Sequence, residues 1–526
     1  MNKKVLILNP YACKNYYSDI TVQWKKRTNL LHPPIFLAYI AAFLRSNGIN
    51  IAFLDAAGEN LDFRKNLKRI IKIKPDLIIT KTHFSTWNWE KSLFVAIKEK
   101  LRLPVVSVGI HPTLVPEEFL KESTFDIAVR KEPELTCLDI AKGLELKEIK
   151  GISYRDDGTI VRNPDRELIE NLDILPFPAR DLFPHKNYRL SSYKRKPMTV
   201  IFTGRGCHFN CIHCGQQVVW GHRRRVRSAK NVIKEIEEIH KLGYKEISFE
   251  DQIVECDERM IEIAKGIKKY NFSWKFGTRA DLINEEALKI FKKAGCYEVF
   301  LGVESGDEKC LGWLNKGINL KQIEEAFKMC RKNKLFINAT FMIGLPRENR
   351  ESVIKTIELA KKLNPDYATF YAFTPIPGTL AFDFYKSNSL LTKENWNSID
   401  FQKVCVKTKY LSSKEIEELI NEAYKQFYFR ISYIFKMLKK INSFSIIGAI
   451  CSLWRLIISL FKRENLNNRV KEIKEKILEE AKKEYKFSEI FEDKRIALKK
   501  TKTYRQNGFY FAIPIKENNG WRIFIE

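Results

Sequence analysis

The sequence predicts an α/β protein made of two successive strand–helix units and a mainly helical C-terminal region. Three observations carry this reading. Short apolar runs that end in polar residues alternate with helix-period segments from residue 5 to about 145. The same alternation resumes near 196 and continues to about 400. Beyond 410 the strand-like runs give way to charged and aromatic segments at helical spacing. With 526 residues and a 44% hydrophobic fraction, the chain can bury the cores of two or three domains.

In the first unit (1–145), Val5-Leu6-Ile7-Leu8 reads as a buried strand ending at Asn9-Pro10. Residues 35–47 place apolar side chains at helical spacing and stop at Gly48. Residues 49–54 form a strand ending at Asp55, and 77–79 another after Pro75. A helix is predicted over 87–100, with strands over 105–108 and 127–129. Such alternation gives an open parallel sheet, which takes ligands beyond the C-terminal ends of its strands. Asn9, Asp55, Thr82, His111 and Glu132 stand at those ends and are expected to rim a site. Residues 151–161 read as a hairpin with an Asp157-Gly158 turn, and 175–180 as a proline-stiffened connector, so 146–195 is read as a linker.

The second unit (196–405) opens on Gly204-Arg205-Gly206-Cys207-His208-Phe209-Asn210-Cys211-Ile212-His213-Cys214. Its three cysteines are separated by three and two residues. Soft thiolates suit iron–sulfur clusters and zinc. Three of them leave one iron of a cubane open to a further ligand, whereas structural zinc takes four ligands. His208 and His213 lie close enough to complete a zinc set, so spacing alone leaves both metals open. A disulfide is the weaker reading, because three thiols on one short loop cannot all pair. About six strand–helix repeats predict a partial parallel barrel, whose working residues belong at the strands' C-terminal ends. Glu250-Asp251, Arg279-Ala280-Asp281, Glu304-Ser305-Gly306, Gly344-Leu345-Pro346 and the segment 374–379 fall there. Each has an ordinary structural reading, such as Arg279 pairing with Asp281, but five in register argue for a site. Cys256, Cys296, Cys310 and Cys330 lie at scattered spacings and read as small core residues.

Cys-x-x-x-Cys-x-x-Cys after a first barrel strand resembles the radical S-adenosylmethionine (SAM) superfamily. The resemblance implies that Cys207, Cys211 and Cys214 hold a [4Fe-4S] cluster whose fourth iron takes the amino and carboxylate groups of SAM. It also implies SAM contacts at Glu250, Asp251, Arg279, Glu304 and Ser305, and a reducing partner such as ferredoxin or flavodoxin. Glu250 stands where aspartate is usual. Residues 1–145 resemble the cobalamin-binding domain that precedes this barrel in one large subfamily. Pro33-Pro34-Ile35-Phe36-Leu37-Ala38-Tyr39-Ile40-Ala41 looks like its first helix, Val108-Gly109-Ile110-His111-Pro112-Thr113 like its Gly-Gly-x-His-Pro-Thr loop, and Arg130-Lys131-Glu132-Pro133-Glu134 like its Gly-Glu-x-Glu turn. Val108 and Lys131 replace glycines of that pattern, and no Asp-x-His-x-x-Gly motif is present. On this resemblance Asn9, Asp55, Thr82, Gly109, His111, Thr113 and Glu132 are candidate cobalamin contacts, with His111 packing the loop or meeting a phosphate rather than binding cobalt.

Members of that subfamily most often methylate an unactivated carbon; others close rings or couple carbons without methyl transfer. A radical SAM RNA-modifying enzyme would use the basic charge, but that plan has three further cluster cysteines near the N-terminus, and here only Cys13 and Cys137 precede the core. A non-catalytic corrinoid carrier would not need five strand ends arranged around a cluster.

Formal charge is +28, from 92 Lys and Arg against 64 Asp and Glu. This fits attraction to nucleic acid or anionic lipid, or simply a solvated lysine-rich surface. No nucleic-acid module is recognisable, so nucleic acid is not favoured. Eleven cysteines and the absence of an export-type apolar run after Met1-Asn2-Lys3-Lys4 lead to the expectation of a cytoplasmic protein. In the C-terminal region (406–526) a capped helix begins at Ser412. Residues 444–461 are almost wholly apolar around Arg455, with Lys439-Lys440 before and Lys462-Arg463 after. They read as a buried helix, a short membrane span or, favoured by the basic flanks, a helix lying on the inner face of a membrane. A substrate that partitions into lipid, such as a lipid, isoprenoid or tetrapyrrole, follows from that placement. Residues 464–486 read as a charged amphipathic helix, and 508–525 as a hairpin around Asn518-Asn519-Gly520.

Overall fold

The computed structural model describes residues 3–10, 16–18, 23–25, 31–188, 193–392, 403–438, 486–491, 512–517 and 520–525. The chain divides into a large unit, Met1–Ser452, and a small one, Leu453–Glu526.

The large unit holds two main sheets. In the first, strands Lys4–Asn9, Asn50–Asp55, Leu77–Lys81, Val105–Val108 and Ile127–Val129 run parallel, with Lys4–Asn9 between Asn50–Asp55 and Leu77–Lys81. Both faces of the sheet are covered. Val5 and Ile7 pack into one apolar cluster, Leu6 and Leu8 into another, as the two-residue period of a strand requires. Helix Ile35–Ser46 is buried from Ile35 through Leu44, which accounts for its apolar character all round.

The hairpin read from Asp157-Gly158 forms over Ile152–Asp156 and Thr159–Arg162. Both turn residues have positive φ, 40° and 84°, the geometry that matches strand twist. It pairs antiparallel onto Ile127–Val129, so this part of the region read as a linker extends the first sheet.

The second sheet has six parallel strands in simple sequence order: Met198–Ile201, Glu246–Phe249, Ser273–Thr278, Cys296–Glu304, Phe336–Ile343 and Tyr367–Ala372. Helices between them start at side-chain caps on Ser228, Asp257, Asn284, Asn319 and Asn349. Each cap satisfies a backbone N–H that the first helical turn cannot, a contribution of about 1 kcal/mol.

Helix Ser413–Tyr428, which begins with a Ser412/Glu415 capping box, covers the open edge of the last strand. Tyr428 accepts from Ala368 N at 3.0 Å and donates to Ala368 O at 2.7 Å, and Tyr424 accepts from Phe370 N at 3.2 Å. The helix's aromatic stretch thus supplies the hydrogen bonds that an edge strand lacks.

In the small unit, Lys486–Phe491, Ala512–Glu517 and Gly520–Ile525 form a three-stranded antiparallel sheet. The hairpin read from the sequence is present; the strand Lys486–Phe491 has no counterpart in that reading. Residues 444–461 lie outside the described residues. No helix among the described residues is long and apolar enough to cross a membrane.

Candidate active site

The cysteine loop leaves the first barrel strand and is held at several points. Gly206 adopts φ 84°, and a Cβ on it would stand 2.2 Å from Arg223 O, so only glycine fits without a backbone shift. Gly206 N donates to Gln252 Oε1 at 3.0 Å, Cys207 N to Gly221 O at 3.3 Å and Ile212 N to Leu314 O at 3.2 Å. Arg279 Nη1 lies 3.7 Å from Cys211 Sγ, and its guanidinium stacks 3.6 Å from the Phe209 ring. Burial pushes all three thiols up, Cys214 to about 12, and Arg279 opposes this at Cys207 and Cys211. Three part-exposed thiols on one loop beside an arginine donor fit a cluster whose metal replaces the thiol protons. Among the described residues no three His, Cys, Asp or Glu side chains converge as they would on a single ion. Cysteines of a cubane each hold a separate iron and need not converge.

The other barrel-end residues fall into different roles. Glu304 closes its strand in the left-handed region at φ 71°, with Oε1 2.6 Å from Lys316 Nζ and Oε2 3.4 Å from the Tyr371 hydroxyl. Ser305 is fully buried and shares a 3.2 Å hydrogen bond with Thr356. Arg279 forms the ion pair with Asp281, at 3.0 Å, besides reaching Cys211. Asp251 accepts from the backbone and hydroxyl of Thr203, tying the second strand's end to the start of the cysteine loop. Glu250 pairs with His32 Nε2 at 3.0 Å. Glu304, Arg279 and the thiols therefore share one neighbourhood, while the hydrogen bonds of Asp251 and Ser305 go to Thr203 and Thr356.

In the first sheet, Asn9 Nδ2 and Gly58 N donate to Asp55 Oδ1 at 2.6 and 2.8 Å, and Tyr188 donates to Oδ2. Burial, opposed by these bonds, still raises the Asp55 carboxyl. Thr82 and Ser107 hydroxyls meet at 2.6 Å. Gly109 turns at φ 106°, and Thr113 Oγ1 donates to its carbonyl at 2.6 Å. His111 is fully buried against Phe84, Trp87 and Phe119, with ring centroids 4.3 to 5.0 Å away, and burial pushes it down to about 3.

Lys131 holds φ 61°, the conformation its missing glycine would take, and its ammonium pairs with Asp165 at 2.9 Å. Glu132 is claimed by Arg205 and Arg225. Burial pushes Glu132 up, but the two arginines outweigh it and hold it below the usual carboxylate value. Gly109 and Lys131 thus both hold backbone conformations with positive φ, which glycine adopts most readily.

A cavity of about 150 Å³ joins the two modules. Ile110 from the Gly109–Thr113 turn faces His213, Cys214 and Gln216 of the cysteine loop across it, and Met342, Tyr371, Phe373 and Ile376 wall the barrel side. Lys316, Tyr371, Gln216 and Ile110 carry no signal in spacing or composition; the fold alone gathers them.

A thiol loop at the mouth of a parallel barrel, facing a second ligand-binding sheet, defines a two-module cofactor enzyme. Residues 201–360 match the radical SAM superfamily and residues 27–141 the B12 binding domain. An uncharacterized methyltransferase of Pyrococcus horikoshii is 35% identical over 434 residues, covering 81% of this chain and 94% of that protein. The anaerobic magnesium-protoporphyrin IX monomethyl ester cyclase of Rubrivivax gelatinosus is 28% identical over 395 residues, 71% of this chain and 68% of that protein. Among solved structures, the cobalamin-dependent S-adenosylmethionine radical enzyme OxsB, with aqua-cobalamin and S-adenosylmethionine bound, superposes with a TM-score of 0.64 at 17% identity, over 84% of this chain and 69% of that one. The chain belongs to the radical SAM enzymes that carry a B12 binding domain ahead of the catalytic one.

Proposed function

We propose that the protein is a cobalamin-dependent radical SAM C-methyltransferase acting on an unactivated carbon of a hydrophobic substrate. The observation that carries this reading is the cavity in which Ile110 of the first module meets Cys214 of the second. A methyl donor and a radical generator must reach the same carbon, and in this cavity a loop of the first module lines one space with the cysteine loop. When bound, the cluster with SAM supplies a hydrogen-abstracting radical and the corrinoid a transferable methyl group.

The chain's own residues do the rest. Cys207, Cys211 and Cys214 hold the cluster. Glu304 offers its carboxylate to the SAM ammonium, and Arg279 sets positive charge near the SAM carboxylate and Cys211. Glu250 lies at the rim of this group. Met342, Phe373, Ile376 and Ile110 exclude water around an apolar carbon. Asn9, Asp55, Thr82, Gly109, His111, Thr113 and Glu132 form the corrinoid side, with Gly109 the point of backbone approach. The electron comes from a small reducing protein of the ferredoxin or flavodoxin kind. Peripheral attachment to a membrane through residues 444–461 completes the reading, and supports a lipid, isoprenoid or tetrapyrrole-like substrate.

The similarity to a ring-forming cyclase supports a second reading, cyclisation without methyl transfer. Anoxic reconstitution with iron, sulfide and hydroxocobalamin separates the two. With SAM carrying a deuterated methyl group and a reductant, the methyltransferase forms both S-adenosylhomocysteine and 5′-deoxyadenosine. Release of 5′-deoxyadenosine alone, with no corrinoid retained, would leave the cyclase reading in its place.

A further inference from the structure

Arg205 and Arg225 bracket the cysteine loop, the first just before Cys207 and the second downstream of Cys214. They are direct cross-strand partners in the two-stranded antiparallel ladder, Gly204↔Val226 and Arg205↔Arg225, that closes the base of the loop. Both are buried, at 5% and 4% exposure. Like charges directly opposite each other weaken a ladder, and a buried charge without a partner is strongly destabilising.

The neutralising charge comes from the other module. Glu132 Oε1 lies 3.2 Å from Arg205 Nη1 and 3.0 Å from Arg225 Nη2, and Glu134 binds Arg205 a second time. Among the described residues these are the ion pairs of the two arginines. Arg205 otherwise lies over the Trp220 and Tyr39 rings at 5.1 and 5.6 Å, and Arg225 donates to the carbonyls of Ile169 and Trp220. Glu132 also accepts from Ile169 N at 2.7 Å. The neighbouring Lys131 N donates to Thr113 Oγ1 at 3.0 Å, and that hydroxyl donates to Gly109 O. A path of hydrogen bonds and one backbone step, Lys131 to Glu132, therefore runs from the Gly109 turn to both flanks of the cysteine loop.

We propose that Glu132 is a positioning residue for the cluster: by bridging Arg205 and Arg225, with Glu134 supplying the second negative charge, it lets the N-terminal module set the shape of the cysteine loop. The cysteine loop is incomplete without this carboxylate from the preceding domain. The inference rests on the reading that the three cysteines hold a cluster. Its geometric part, the charge compensation of the ladder, does not.

The test uses the full chain with Glu132→Gln, Arg225→Gln and the double variant. In metal-free protein, Glu132→Gln leaves Arg225 buried without a carboxylate, opposite an Arg205 held by Glu134 alone, and lowers the melting temperature by about 5 °C or more. Adding Arg225→Gln removes the opposition, so the double variant melts above Glu132→Gln alone. A double variant that melts at or below Glu132→Gln alone overturns the proposal, because removing the opposed guanidinium then relieves nothing.

In anoxically reconstituted protein, Glu132→Gln retains several-fold less iron or shows a changed electron paramagnetic resonance (EPR) spectrum of the reduced cluster, and the double variant moves back toward wild type. Unchanged iron and spectrum in Glu132→Gln, beside a brown wild type, also overturns it. A colourless wild type counts against the cluster reading and leaves the melting cycle to decide the charge compensation of the ladder. Should Glu132→Gln not accumulate, recovery of folded full chain on adding Arg225→Gln supplies the comparison, and no recovery overturns the proposal.

Discussion

Glu304 and Lys316 form a buried ion pair at 2.6 Å, with the glutamate in a left-handed backbone conformation at the end of its strand. That conformation costs a non-glycine residue about 1–2 kcal/mol. Lys316 also donates to Gly302 O at 2.6 Å, so the ammonium fixes both the strand end and the carboxylate it presents. If Glu304 receives the SAM ammonium, Lys316 holds the place of that cation in the free protein. Lys316→Met should then destabilise SAM-free protein by about 3 kcal/mol, the cost of breaking a buried pair. SAM should restore more stability to the variant than it adds to wild type. Melting curves with and without SAM check this, and equal gains in the two proteins would refute it.

Gly206 and Gly48 separate backbone strain from steric conflict. Both have positive φ, 84° and 77°, but a Cβ on Gly48 meets nothing within 4 Å, whereas one on Gly206 meets the carbonyls of Arg223 and Trp220 at 2.2 and 3.0 Å. Gly48→Ala should cost about 1–2 kcal/mol and leave the iron content unchanged. Gly206→Ala must move the cysteine loop as well, and should lose most of the bound iron after reconstitution. Equal iron in the two variants contradicts the tight loop described here.

The buried cysteines give a third expectation. Cys137, Cys296, Cys310 and Cys330 are buried in the core, and burial raises each thiol well above its ordinary value. Cys296→Ala should therefore keep a full complement of cluster iron, at a modest loss of stability, whereas Cys211→Ala should lose the cluster. Iron and sulfide analysis after anoxic reconstitution distinguishes them; iron loss in Cys296→Ala would point to a ligand outside the loop.

Both sheets were legible because a parallel strand buried on two faces writes an uninterrupted apolar run, as in Val5-Leu6-Ile7-Leu8, and because Asp157-Gly158 names its own turn. Strand ends were legible too, since the run stops where a polar residue begins. The direction and partners of those polar residues were not. Asp251 turns to Thr203 and Glu132 to Arg205, each across tens of residues that no local spacing encodes. His111 and Ile110 are adjacent, yet Ile110 faces the cavity and His111 packs among Phe84, Trp87 and Phe119. One step along the chain decides which way a side chain points, and that step depends on the turn at Gly109.

Glu90 makes pH a probe of the first module. It is 1% exposed, accepts from Thr86 Oγ1 at 2.7 Å and from His83 N at 3.1 Å, and burial lifts its carboxyl to about 7 against these bonds and Lys81. The neighbouring His83 is pushed well below its ordinary value by burial, His111 and Lys81, so it stays neutral and does not compensate. The folded state therefore keeps a proton that the unfolded chain releases above its ordinary value of 4.5. Between 4.5 and about 7 the folded state binds more protons, and stability falls as pH rises, by at most about 1.4 kcal/mol per unit. Above that window the penalty is constant. Glu90→Gln keeps an acceptor and removes the ionisation, so it should gain stability relative to wild type at pH 8 (chosen to lie about one unit above the raised value) and not at pH 5. Glu348, raised to about 7 by burial as well, stays in place, so the variant removes only part of the slope. A stability difference between wild type and Glu90→Gln that is the same at both pH values would show that this carboxylate is already ionised in the folded protein, and that Lys81 rather than burial governs it.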